Sequence, residues 1–145
     1  MAAMSNYLEN KIIDHVFRGV AYTAPAAIYI GLYTSAPSDT GGGTEVAGNN
    51  YARAALAPSV ANWAATNAAL STTNPSSGTS GQTSNNAVVT FNTPSGSWGT
   101  VTHFCIFDAL AGNLLFWGAL SASKLIQSGD AVSIQASQLV VQIDD

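Results

Sequence analysis

The sequence predicts a mainly β protein: an antiparallel β-sandwich or open barrel of seven to eight strands, with one short N-terminal helix. Three observations lead there. Short runs rich in Val, Ile, Tyr and Phe recur along the chain, separated by Gly- and Pro-bearing turns. Apolar residues at clear helical spacing are confined to the first twenty positions. No internal repeat at a fixed period is apparent, which argues against solenoids and repeat-built shafts. With 145 residues, the chain reads as a single domain, 1–145, large enough for a core without disulfides or a structural metal.

The helix is expected over residues 6–18. Asn6 is placed to cap it, with Glu9 completing the reciprocal contact of a capping box. Leu8, Ile12 and Val16 recur at i, i+4 and i+8, with Ile13 and Phe17 on an adjoining stripe. Asp14 and Arg18 form an i,i+4 pair, and Gly19 suits the position just past the end. So short a helix needs something to pack on, either the open end of a sheet or a neighbouring subunit.

The first strand is expected from Ala26 to Thr34, with Ile28, Ile30 and Leu32 on one face and Tyr29 and Tyr33 on the other. Three successive glycines, Gly41 to Gly43, preclude a regular element after it. Tyr51 to Leu56 is a further strand, whereas Val60 to Trp63 fits a strand or a helical turn. Residues 70–86 are rich in Ser, Thr, Asn and Gly without periodicity, and a long exposed loop is expected there. Val88 to Asn92 is the next strand. Val101 to Asp108 follows, alternating Val101, His103, Cys105 and Phe107 against Thr102, Phe104 and Ile106. Leu114 to Leu120 is also apolar on both faces, as in a strand covered on one side by the core and on the other by a helix or a subunit. Ala131 to Gln135 and Leu139 to Ile143 complete the set.

Composition restricts the function. Four Lys and Arg face eight Asp and Glu, a formal charge of −4. Neutralising phosphates needs clustered positive charge, so no nucleic-acid partner is expected. No basic surface patch and no transmembrane-length apolar run point to a membrane. The chain does not open with a basic region and an apolar stretch, so no signal peptide is expected. Charged residues make up 8%, against roughly 25% in ordinary soluble domains. None lies between Arg53 and Asp108. A surface so poor in charge resists association weakly. The chain therefore reads as part of an assembly, the alternative being a secreted or surface module with an Asn-, Ser- and Thr-rich exterior.

No catalytic, cofactor-binding or metal-ligating residue is expected. Cys105 is the single cysteine, so no internal disulfide forms. His103 and Cys105 share a strand face, and with Asp108 they have the chemistry of a nucleophilic site. Their apolar strand context places them in a core or an interface instead. His15, His103 and Cys105 lack metal-ligand spacing. Asp39 and Glu45 flank the triglycine loop without the ordered oxygen spacing of a calcium loop. Gly41-Gly42-Gly43-Thr44 lacks the lysine of a phosphate loop, and the scattered acids mark no glycosidase pair. Trp63, Trp98 and Trp117, with Tyr22, Tyr29, Tyr33 and Tyr51, offer sugar-stacking surfaces, although such aromatics more commonly serve cores and interfaces.

The segments Ile30-Gly31-Leu32-Tyr33-Thr34-Ser35-Ala36-Pro37, Gly42-Gly43-Thr44-Glu45-Val46, Tyr51-Ala52-Arg53 and Trp98-Gly99-Thr100-Val101-Thr102-His103-Phe104 carry a resemblance. Ile106-Phe107-Asp108-Ala109 and Asn113-Leu114-Leu115-Phe116-Trp117-Gly118 extend it. Together these resemble a family of small tailed-bacteriophage structural proteins, commonly labelled tail-fibre or minor virion proteins. The resemblance implies a virion protein: a tail component, or a cement protein decorating a capsid. Shafts need repeats or long coiled coils, which this sequence lacks. A compact, weakly charged knob suits a cement protein on the capsid exterior, stabilising the assembled shell by mass action. The expected partners are other copies, as a homotrimer by closed symmetry, and the major capsid protein. In the tail alternative they are tail proteins. A carbohydrate-binding receptor module is the third reading.

The candidate site is thus structural. Leu8, Ile12, Val16 and Phe17 are expected to anchor the helix. Arg53 is expected either to pair with Glu45 or to serve an interface. Phe104, Ile106, Leu115 and Trp117 line the strand faces expected to meet another subunit or the helix.

Overall fold

The computed structural model describes residues 2–66 and 69–143. They hold ten strands and one helix: β1 (Ala2–Met4), α1 (Asn6–Phe17), β2 (Ile28–Ser35), β3 (Thr44–Glu45), β4 (Ala54–Leu56), β5 (Gln82–Ser84), β6 (Val89–Thr90), β7 (Gly99–Phe107), β8 (Leu114–Ile126), β9 (Ser133–Ile134) and β10 (Val140–Gln142). A six-stranded sheet runs β1-β8-β7-β2, with β3 and β4 both on the far edge of β2. Two ribbons, β5 with β10 and β6 with β9, form a second layer. Every pairing is antiparallel, and the sheets do not close, so the architecture is a sandwich rather than a barrel.

The strand count exceeds seven to eight because several pieces are only two or three residues long. β1 is built of Ala2, Ala3 and Met4, which have weak strand propensity; pairing with Gly118, Trp117 and Phe116 holds it in the sheet. The expected loop over 70–86 is shorter, because β5 pairs with β10 at its end. β8 runs beyond Leu120 to Ile126, where Lys124 to Ile126 pair with Val101 to Gly99. Between the two paired stretches, two steps along β7 oppose five along β8. That irregularity breaks the expected alternation of β7: Val101 joins Phe104 and Ile106 in the core instead of sharing the face of His103.

The core lies between the layers. Ile30, Leu32, Val101, Phe104, Ile106, Leu115 and Ile126 of the main sheet meet Val89, Phe91, Leu139 and Val141 of the second layer. Asn85, fully buried, ties the two ribbons together. Its Nδ2 donates to the carbonyls of Ala87 and Gln135, both at 2.9 Å, and its Oδ1 accepts from the Leu139 N–H at 2.8 Å.

The helix begins at Asn6, within the expected span, but its cap lies one residue earlier than expected. Ser5, not Asn6, is its cap: the hydroxyl accepts from the Leu8 N–H at 3.3 Å. Ser5 is buried and donates its own proton to the Leu114 carbonyl, which fixes the chain as it leaves β1 and leaves Glu9 outside the cap. At the other end Asp14 pairs with Arg18 at 2.8 Å, and Gly19 takes φ +70° as the chain leaves the helix.

Candidate functional site

The outer face of the main sheet carries a polar and aromatic cluster. Tyr29, Gly31 and Tyr33 of β2 stand opposite Phe107, Cys105 and His103 of β7. The Arg53 guanidinium lies 3.4 Å from the centre of the Phe107 ring and forks onto Glu45, with Nε–Oε1 and Nη2–Oε2 both at 2.8 Å. Tyr51 donates its hydroxyl proton to Glu45 Oε1 and accepts from the Leu32 N–H, each at 2.9 Å. Arg53 Nη1 reaches the Leu110 carbonyl at 2.9 Å. Gly31 leaves the needed room, since a Cβ there would stand 2.9 Å from Glu45 Oε1. Burial pushes the Glu45 carboxyl up, but hydrogen bonds from Arg53 and Tyr51, with the Arg53 charge, outweigh it and hold it below its usual range. The cluster pins β3 and β4, too short to hold by their own ladders, onto β2. Arg53 is therefore spent inside the protomer.

The groups with chemistry to offer each have structural neighbours of their own. Burial pushes the Cys105 thiol up to about 12, and the residue has no exposed surface. His103 Nδ1 lies 2.8 Å from the Thr102 hydroxyl. Asp108 is turned into the following loop, accepting from the Asn113 N–H at 2.7 Å and its amide at 2.9 Å. Asp39 accepts from Trp117 Nε1 at 3.0 Å while Glu45 holds Arg53, so the two acids flanking the triglycine loop have separate tasks. Among the described residues no group of three or more His, Cys, Asp or Glu could hold a metal. The aromatics are divided: Tyr29, Tyr33 and Trp117 belong to the outer-face cluster, and Trp98 and Tyr51 pack against the core. Trp98 is buried edge-on against Tyr51, with its indole N–H on the Asn49 carbonyl at 3.0 Å, and Tyr33 is buried as well.

The structure separates the residues expected to form an interface. Phe104, Ile106 and Leu115 are 2–7% exposed and face the second layer, so they are core and not contact surface. Trp117 lies on the opposite, outer face, half-buried beside the Tyr33–Cys105–Phe107 cluster. Leu8 is buried and Ile12 packs against the core, as helix anchors. Val16 and Phe17 are not anchors: they are 62% and 81% exposed. Only the first half of α1 lies over the core, and the stripe turns outward beyond it. Ile13, Val16 and Phe17, at i, i+3 and i+4, make one exposed apolar face, joined by exposed Glu9, and Val20 is exposed just past the helix end. The stripe of Ile13 and Phe17 beside Val16 was legible in the sequence; that this face is bare was not.

A second surface escapes sequence reasoning altogether. Where β8 continues past β1, the layers gape and leave a groove of about 670 Å³. Val101, Phe104, Ile126 and Leu139 form its buried floor, and half-buried Leu120, Val132 and Ile134 line its walls. Lys124 is the one charged side chain among its lining residues.

One comparison with known proteins gives a match: the sequence model of a family described as Podophage GP4 fiber I protein gp80 fits residues 3–142. No curated protein matches the sequence.

Proposed function

The chain belongs to the podophage GP4 fiber I protein gp80 family, a family of phage structural proteins, and from that premise we propose that it is a tail-fibre subunit of a tailed bacteriophage. The family match over residues 3–142 is the observation that carries this reading. It favours a fibre subunit over the cement protein that composition and compactness suggest. The fibre subunit acts by contact, and its partners are other copies, as a closed oligomer with three as the proposed number, and tail proteins. The bare apolar face of α1 supplies a surface of the kind such contacts use.

The test is fractionation of purified virions. Heads and tails are separated after controlled disruption, and the chain is quantified in each by mass spectrometry. Recovery with tails and fibres supports the reading. Recovery with heads, in fixed ratio to the major capsid protein, overturns it in favour of a capsid cement protein.

A further inference from the structure

The exposed helix face and the open groove lie at opposite ends of the main sheet. α1 begins where Ser5 meets Leu114 and Leu115, beside the Phe107–Leu114 pair. The groove lies toward the other end, around the Val101–Lys124 pair. One is an exposed apolar ridge, Ile13, Val16 and Phe17; the other is a concave trough with an apolar floor and a rim that includes Ser121, Ser133, Gln135 and Gln138, a site for apolar side chains flanked by polar groups. One pair of charges is complementary. Glu9 stands on the ridge and Lys124 on the trough, and neither has an ion-pair partner among the described residues; Arg18 and Arg53 are paired, and Lys11, also without an ion pair, lies over the Tyr7 ring. Matching α1 against itself across a two-fold axis would leave the trough empty and Lys124 unmatched.

We propose that the helix face of one copy docks in the groove of a second copy, with Glu9 of the first set against Lys124 of the second. Because ridge and trough are different patches at different ends, the contact is head-to-tail. Repetition of it gives a ring if the rotation closes and a filament if it does not. The inference rests on the fibre reading for its biological setting; its test uses purified protein and is independent of where virions carry the chain.

The test is self-association of the full chain, followed by sedimentation and light scattering over a range of concentrations. Wild-type protein associates beyond a dimer, and Phe17→Asp is monomeric with an unchanged circular dichroism spectrum, since that side chain is 81% exposed. Glu9→Lys and Lys124→Glu each weaken association by at least about tenfold, through one like-charge contact per joint. Mixing the two variants restores it, because each ridge then meets a trough of opposite sign. A strictly monomeric wild type, a two-fold dimer, oligomers that persist in Phe17→Asp, or a mixture no stronger than its components overturns the proposal.

Discussion

Replacing Asn85 by alanine should loosen both ribbons of the second layer at once. The side chain has no exposed surface and makes three hydrogen bonds, to the carbonyls of Ala87 and Gln135 and from the Leu139 N–H. A typical intramolecular hydrogen bond contributes about 0.5–1.5 kcal/mol net, so three give about 1.5–4.5 kcal/mol. The upper half of that range is expected, because alanine strands the Leu139 N–H beside a leucine only 2% exposed. Equilibrium urea unfolding should show a lower midpoint at unchanged slope. A loss of about 3 kcal/mol corresponds to a melting temperature lower by about 6–12 °C in a domain of this size. Asn85→Asp should do no better, since it keeps an acceptor for Leu139, loses both donated bonds and buries a charge. A loss below about 1 kcal/mol would refute the reasoning and assign the cohesion of the ribbons to apolar packing alone.

Three further outcomes follow from the outer sheet face. Because the folded pKa of Glu45 lies below its unfolded value, the stabilisation from its pairing with Arg53 is fully present above the ordinary carboxylate pKa of 4.5 and is lost as pH falls through the lower folded value. The stability gap between wild type and Glu45→Gln, measured by urea unfolding from pH 7 downward, should therefore close below about pH 4.5; a gap independent of pH would contradict this. Gly31→Ala should cost about 1–3 kcal/mol, because the new methyl meets Glu45 Oε1 at 2.9 Å and must push the carboxylate off Arg53. A melting temperature equal to wild type would show that the clamp can shift freely. Cys105 should resist a thiol reagent in native protein and react fully in denaturant; rapid native labelling would mean that the face opens.

The sequence made legible whatever depends on local pattern. β2, β7 and the first half of β8 follow from their apolar alternation and branched or aromatic residues, and the helix follows from Leu8 and Ile12. What it hid depends on partners distant in the chain. β1 is a strand because β8 offers it an edge, not because Ala2 and Ala3 favour one. β5 emerges from a Ser- and Thr-rich stretch because β10, some sixty residues on, pairs with it. The interface residues divided on the same ground. The double-sided apolarity of Phe104, Ile106 and Leu115 cannot tell a second layer of the same chain from another subunit. The bare half of α1 is set by where the core ends, and the groove by where β1 stops along β8; neither leaves a periodic trace.

The most direct measurement is a cryo-electron reconstruction of intact virions, with this chain's side chains fitted to the density. The fibre reading predicts the chain in appendages of the tail, with Phe17 of each copy buried against a neighbour. Ordered knobs of this chain on the icosahedral shell, and none on the tail, would contradict it.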